Sequence, residues 1–152
     1  MIVENLGKVS EDDIVKLEEK IQTPIPVEYR TFLKDTNGVI SKDNTTIYIS
    51  ELGAEVEIDS LFGIHNDKKW LDINYNTSLF YDDLPPNAIV IGRDLLGGFF
   101  VMICNEDDSR LYYWDDKYNF EKSNDDSNAY YIADGFNDFV DLLNGFIAHE
   151  DL

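Results

Sequence analysis

Only one cysteine, Cys104, stands in the 152 residues, so no disulfide can form within the chain and a packed core has to supply the stability. That residue lies in the apolar run 99–104, where a buried, inert thiol is expected rather than a nucleophile. Basic residues are scarce: 12 Lys and Arg face 31 Asp and Glu, a formal net charge of −19. A field of that sign repels nucleic acid and anionic membrane and favours encounter with basic partners. Long apolar runs are missing too, since none approaches the roughly 20 residues of a membrane-spanning helix. The opening segment MIVENLGKVSEDD carries acids where an export signal needs a basic start and an apolar stretch, so the expected location is the cytoplasm.

What remains is ordinary globular composition, 43% hydrophobic and 13% aromatic, and one domain spanning residues 1–152 is expected. Ser10 reads as an N-cap followed by acids that suit the positive end of a helix. Ile14, Leu17 and Ile21 recur at helical spacing, which predicts an amphipathic helix over 11–22. Thr23-Pro24-Ile25-Pro26 interrupts it. Pro26 suits the first position of a second helix with Tyr29, Phe32 and Leu33 on its inner face, and Asn37-Gly38 supplies a left-handed stop.

Beyond residue 40 the period shortens. Short strands are predicted at 45–49, 55–58, 88–91, 99–104 and 111–114, with another apolar piece at 61–64. Residues 65–80 fit either a helix or an irregular loop, and 115–128 read as an acidic, exposed loop. Phe136, Phe139, Leu142, Leu143 and Phe146 have helical spacing and predict a terminal helix. Helices, then strands joined by short turns, then a helix indicate an α+β fold with a mainly antiparallel sheet.

Little of this carries chemistry. His65 and His149 are isolated, and no Cys or His cluster has the spacing of a zinc site. The stretch Gly92-Arg93-Asp94-Leu95-Leu96-Gly97-Gly98 follows a strand but lacks the lysine of a phosphate loop and leads into another strand. Acid pairs are plentiful, yet the twelve-residue calcium loop pattern is absent. No catalytic residue, metal or cofactor is therefore expected.

Several pieces, taken in order, resemble the SUKH superfamily, which includes fungal cell-wall-assembly regulators and bacterial toxin-immunity proteins. They are Ile14-x-x-Leu17-Glu18, Ile25-Pro26-x-x-Tyr29-x-x-Phe32-Leu33, Asn37-Gly38, Leu84-Pro85, Ile89-x-Ile91-Gly92-x-Asp94-x-x-Gly97-Gly98, Tyr112-x-Trp114-Asp115 and Phe136-x-x-Phe139-x-x-Leu142. The resemblance implies a twisted antiparallel sheet with an N-terminal helix pair and a C-terminal helix packed on it. Each piece also has a structural reading: Asp94 can bond to backbone amides of its own turn, and Gly97-Gly98 permits a turn that side chains would obstruct.

In function, the resemblance implies an immunity protein that binds and neutralises a cognate polymorphic toxin, a basic and nuclease-type one where charge is the guide. The alternative is an interaction or scaffold module with a housekeeping or cell-wall-related partner. The acidic excess leans toward residues 77–152, which nominates Asp82, Asp83, Asp107, Asp108, Asp115, Asp116, Asp125 and Asp126 as partner-facing. Tyr113 and Trp114 are the candidate anchors, because Tyr and Trp are favoured at interface hot spots.

Overall fold

The computed structural model describes residues 3–42, 44–105 and 109–144. Helix α1 (Glu11–Ile21) starts where Ser10 and Asp13 cap each other: the Asp13 amide donates to the Ser10 hydroxyl, and the Ser10 amide to the Asp13 carboxylate, each at 3.1 Å. Its buried residues are Ile14 and Leu17. Glu18, on the same helix, accepts the Ile25 amide and an Arg30 N–H, both at 2.7 Å, so the proline-rich link is clamped to α1. Helix α2 (Val27–Thr36) begins one residue later than the sequence predicts, because Pro26 takes the N-cap position. Its end follows expectation: Asn37 and Gly38 have φ of 50° and 91°. A Cβ at Gly38 would lie 2.6 Å from the Leu61 carbonyl oxygen, so the crossing requires glycine.

The strands are β1 (Val3–Asn5), β2 (Val39–Ser41), β3 (Thr46–Ile49), β4 (Ala54–Leu61), β5 (Ala88–Asp94), β6 (Phe99–Ile103), β7 (Leu111–Trp114), β8 (Ala129–Ala133) and β9 (Leu143–Asn144). All named pairs are antiparallel, in the order β1-β2-β4-β5-β6-β7-β8, with β3 between β4 and β9. The α+β class and antiparallel sheet are as expected. The ambiguous stretch 65–80 resolves into a 3₁₀ turn (Lys69–Leu71) and helix α3 (Ile73–Leu79), which Asp72 caps by accepting the Tyr75 amide at 2.9 Å. Helix α4 (Phe136–Leu142) ends before Leu143, which enters β9 opposite Ile47, and Phe146 lies outside the described residues.

Alternation along β6 and β7 builds two faces. Phe100 and Met102, paired with Tyr113 and Leu111, look toward the helices. Phe100 meets Phe139 of α4 with ring centroids 5.5 Å apart, and Phe136 sits 4.9 Å from both Tyr29 and Phe32 of α2. Tyr29 is fully buried and donates its hydroxyl to the Phe62 carbonyl at 2.6 Å. Each such aromatic contributes about 1.5–3 kcal/mol by burial. The opposite face carries Phe99, Val101, Ile103, Tyr112 and Trp114. Phe80 covers part of it, 4.9 Å from Phe99 and 5.2 Å from Trp114.

Candidate partner-binding site

The open face of the sheet forms a groove. Its floor is Val101 and Ile103 of β6, Tyr112 and Trp114 of β7 and Ala129 of β8; its far wall is Asp83, Leu84 and Pro85, and Asn128 closes one end. The cavity volume is about 390 Å³, room for a large side chain. Strand alternation puts every second residue of β6 and β7 on this face, and the residues standing there, Val101, Ile103, Tyr112 and Trp114, make the floor apolar.

The wall is held in place by its own backbone. The Asp83 and Leu84 amides both donate to the Phe80 carbonyl, at 2.9 and 3.1 Å. At the far end of the segment the Asn87 carbonyl accepts the Cys104 amide at 2.8 Å, which ties residues 80–87 to the end of β6. Trp114 is braced edge-on by Phe80, and Tyr112 is met edge-on by Tyr131 at 6.1 Å. Asp82 and Asp83 are exposed, and neither carboxylate has an ion-pair partner among the described residues. Other acids are neutralised: Glu11 by Arg30 and Lys34, Glu4 by Lys42, and Asp116 by Lys117.

The nominated residues separate into groups. Asp83 and half-buried Trp114 come together at the groove, exposed Asp82 precedes Asp83 in the chain, and Asp125 and Asp126 are exposed on the turn that leads to Asn128. The Asp125 carboxylate accepts the Tyr118 hydroxyl at 2.5 Å, a bond that raises the Tyr118 pKa. Asp107 and Asp108 lie outside the described residues.

Two nominations are corrected. Tyr113 is 0% exposed and points into the helix-covered core, because it alternates with Tyr112 and Trp114. Asp115 is also 0% exposed; its carboxylate accepts the Asn119 and Phe120 amides at 2.9 and 3.0 Å and so shapes the loop after β7. Asp116 is mostly buried, and burial raises its carboxyl pKa.

Tyr112, Val101, Ile103, Leu84, Pro85 and Ala129 were not nominated. Alternation held the signal for the first three: Tyr112 and Trp114 share a face that Tyr113 cannot share. The wall and Ala129 had no such signal, since they reach the groove only through tertiary packing.

Asp94 is the other notable acid, 2% exposed beneath the 94–98 turn. It accepts the Gly98 amide at 2.7 Å, the turn bond that the sequence predicts. Burial raises its pKa, partly offset by the bond from Tyr113. Burial likewise pushes the Cys104 thiol up to about 12. His65 also has structural partners: its Nε2 is 2.8 Å from the Asn37 carbonyl oxygen, and its amide donates to Asp72. His149 lies outside the described residues. Among the described residues, no group of three or more His, Cys, Asp or Glu is placed to hold a metal ion. No described helix is long and apolar enough to cross a membrane.

The sequence matches the SMI1 / KNR4 family (SUKH-1) over residues 8–142, and the chain belongs to that family. The family includes toxin immunity proteins. Among curated proteins and among solved structures, nothing matches the chain.

Proposed function

We propose that this member of the SMI1 / KNR4 family is an immunity protein that binds and neutralises a cognate polymorphic toxin in the cytoplasm of its producer. The observation that carries the reading is the exposed acidic pair Asp82-Asp83 beside an open apolar groove, in a chain of net charge −19. A toxin that acts on nucleic acid presents a basic surface, and an acidic inhibitor complements it. Such complementarity sets fast association and specificity, and buried anchors then set the dissociation rate. The protein is a stoichiometric binder on this reading, not an enzyme, and it has no nucleic-acid or membrane partner.

Co-expression with the toxin encoded by the neighbouring reading frame tests the proposal. Rescue of growth, a 1:1 complex and association that slows with added salt are expected. Failure to rescue overturns it. A neighbouring frame without any toxin domain favours the regulatory branch of the family instead, an interaction module with a housekeeping or cell-wall-related partner.

A further inference from the structure

We infer that the groove between residues 80–87 and the β6-β7-β8 face is the docking point, and that it takes a large apolar side chain flanked by lysine or arginine on a partner protein. The inference rests on the partner-binding reading above and names the chemistry of that site. Three features favour this occupant. The floor offers Val101, Ile103 and the rings of Tyr112 and Trp114, which suit an aliphatic or aromatic group. Among the described residues Asp83 is the only charged one in the lining, and exposed Asp82 precedes it in the chain, so cations beside the inserted group find carboxylates that have no ion-pair partner among the described residues. The braced wall also means that little ordering accompanies docking.

Charge argues against a second copy of this chain as the occupant. Two molecules of net charge −19 meeting through a face with Asp82 and Asp83 at its rim repel each other.

The test uses the full chain and a capped pentapeptide with phenylalanine between two lysine pairs, followed by amide NMR at low salt. Shifts are expected at Val101, Ile103, Tyr112 and Ala129 and at the Trp114 indole. Replacing phenylalanine by alanine in the peptide should weaken binding about ten-fold or more, and replacing the lysines by glutamates should abolish it. Ala129→Trp, on an exposed strand position that tolerates an aromatic, fills the groove and should remove the shifts. Asp82→Lys with Asp83→Lys leaves the floor intact and should weaken the lysine peptide about three- to ten-fold, whereas Asp12→Lys with Glu19→Lys on α1 should change it less.

No shift at millimolar peptide, shifts centred elsewhere, equal binding of the phenylalanine and alanine peptides, or a dimer that the peptide dissociates would each overturn the inference. Co-expression separates this result from the functional reading. Unchanged toxin affinity in Ala129→Trp removes the groove and leaves the immunity role standing. Peptide binding in the groove by a chain that rescues nothing removes the immunity role and leaves the groove.

Discussion

Tyr113 donates its hydroxyl to Asp94 at 2.7 Å, joining the middle of β7 to the end of β5 inside the protein. The same carboxylate holds the Gly98 amide at 2.7 Å. A Cβ on Gly98 would fall 2.4 Å from the Tyr113 hydroxyl oxygen, so the glycine is required by the tyrosine above it. Lys117 and Asn119 complete the connection, donating to the Gly97 and Leu96 carbonyls, each at 3.0 Å. Asp94, Gly98 and Tyr113 therefore act as one structural unit, well separated in sequence.

Removing the Tyr113 hydroxyl tests that unit. Tyr113→Phe leaves Asp94 buried with one donor fewer and should cost about 1–3 kcal/mol in urea unfolding. Gly98→Ala should cost a comparable amount or more, and combining it with Tyr113→Phe should be less than additive, because the nearest clashing atom is deleted while the ring Cζ and Cε1, at 2.7 and 2.9 Å, remain. Additive effects would count against the coupling.

The Cys104 thiol is buried, and its pKa of about 12 leaves almost no thiolate at neutral pH. A thiol-specific disulfide reagent should therefore modify the native protein only as fast as it unfolds. Labelling in urea should be rapid. Fast labelling without denaturant would contradict the burial.

Acid titration should reveal two opposed groups. Bonds from Arg30 and then Lys34 lower the Glu11 pKa, and bonds from Ser10 lower that of Asp13. Their contribution is present above the unfolded values of about 4.5 and 3.8 and is lost as pH falls through the lower folded values. Asp94 and Asp116 have the opposite sign: burial raises both, so their contribution is complete below the unfolded value and is lost as pH rises through the folded one. Asp116 also has a buried Oδ1 with no hydrogen-bond partner. Asp116→Asn should thus stabilise the protein near neutral pH, and the advantage should shrink as pH falls through the raised folded value and be gone below about 3.8. Urea midpoints between pH 3 and 7 measure this. A constant difference across that range would show that ionisation is not its cause.

Helix α4 takes its cap from another helix. Gly135 has no side chain to offer, and the Asn137 amide donates instead to Glu28 of α2 at 2.9 Å. Glu28→Ala should cost about 1 kcal/mol of stability, within the usual range for loss of an N-cap. Restoring a local cap with Gly135→Ser in that variant should recover part of it, since the Glu28 carboxylate oxygen that a Cβ at Gly135 would meet at 3.1 Å is then absent. Hydrogen exchange at the first turn of α4 is the most direct readout.

Local signals made much of the fold legible. Ser10 capped α1 as expected, Asn37-Gly38 ended α2, and 111–114 is a strand with the predicted limits. The strands that escaped notice were short or disguised. Val3–Asn5 and Val39–Ser41 have three residues each, too few to establish a period, and Ala129–Ala133 directly follows a stretch rich in acids and Asn. Of the candidate site, Asp82, Asp83 and Trp114 were legible through charge and aromatic character. Tyr113 and Asp115 share those characters yet lie inside the protein.

The acidic excess, the lone cysteine and the repeating apolar pattern belong to the sequence by itself. From them followed the class of fold and an expectation for the sign of a partner's charge, while the ordered motif pieces between Ile14 and Leu142 carried the family resemblance. Tertiary structure alone decided which acids face solvent and which apolar residues line the groove. The reason is physical: charge and hydrophobicity are properties of single residues, whereas exposure depends on what packs against them. Residues 80–87 come to stand beside β6 and β7 only once the sheet has formed, and that meeting makes a groove where the sequence shows only separate runs.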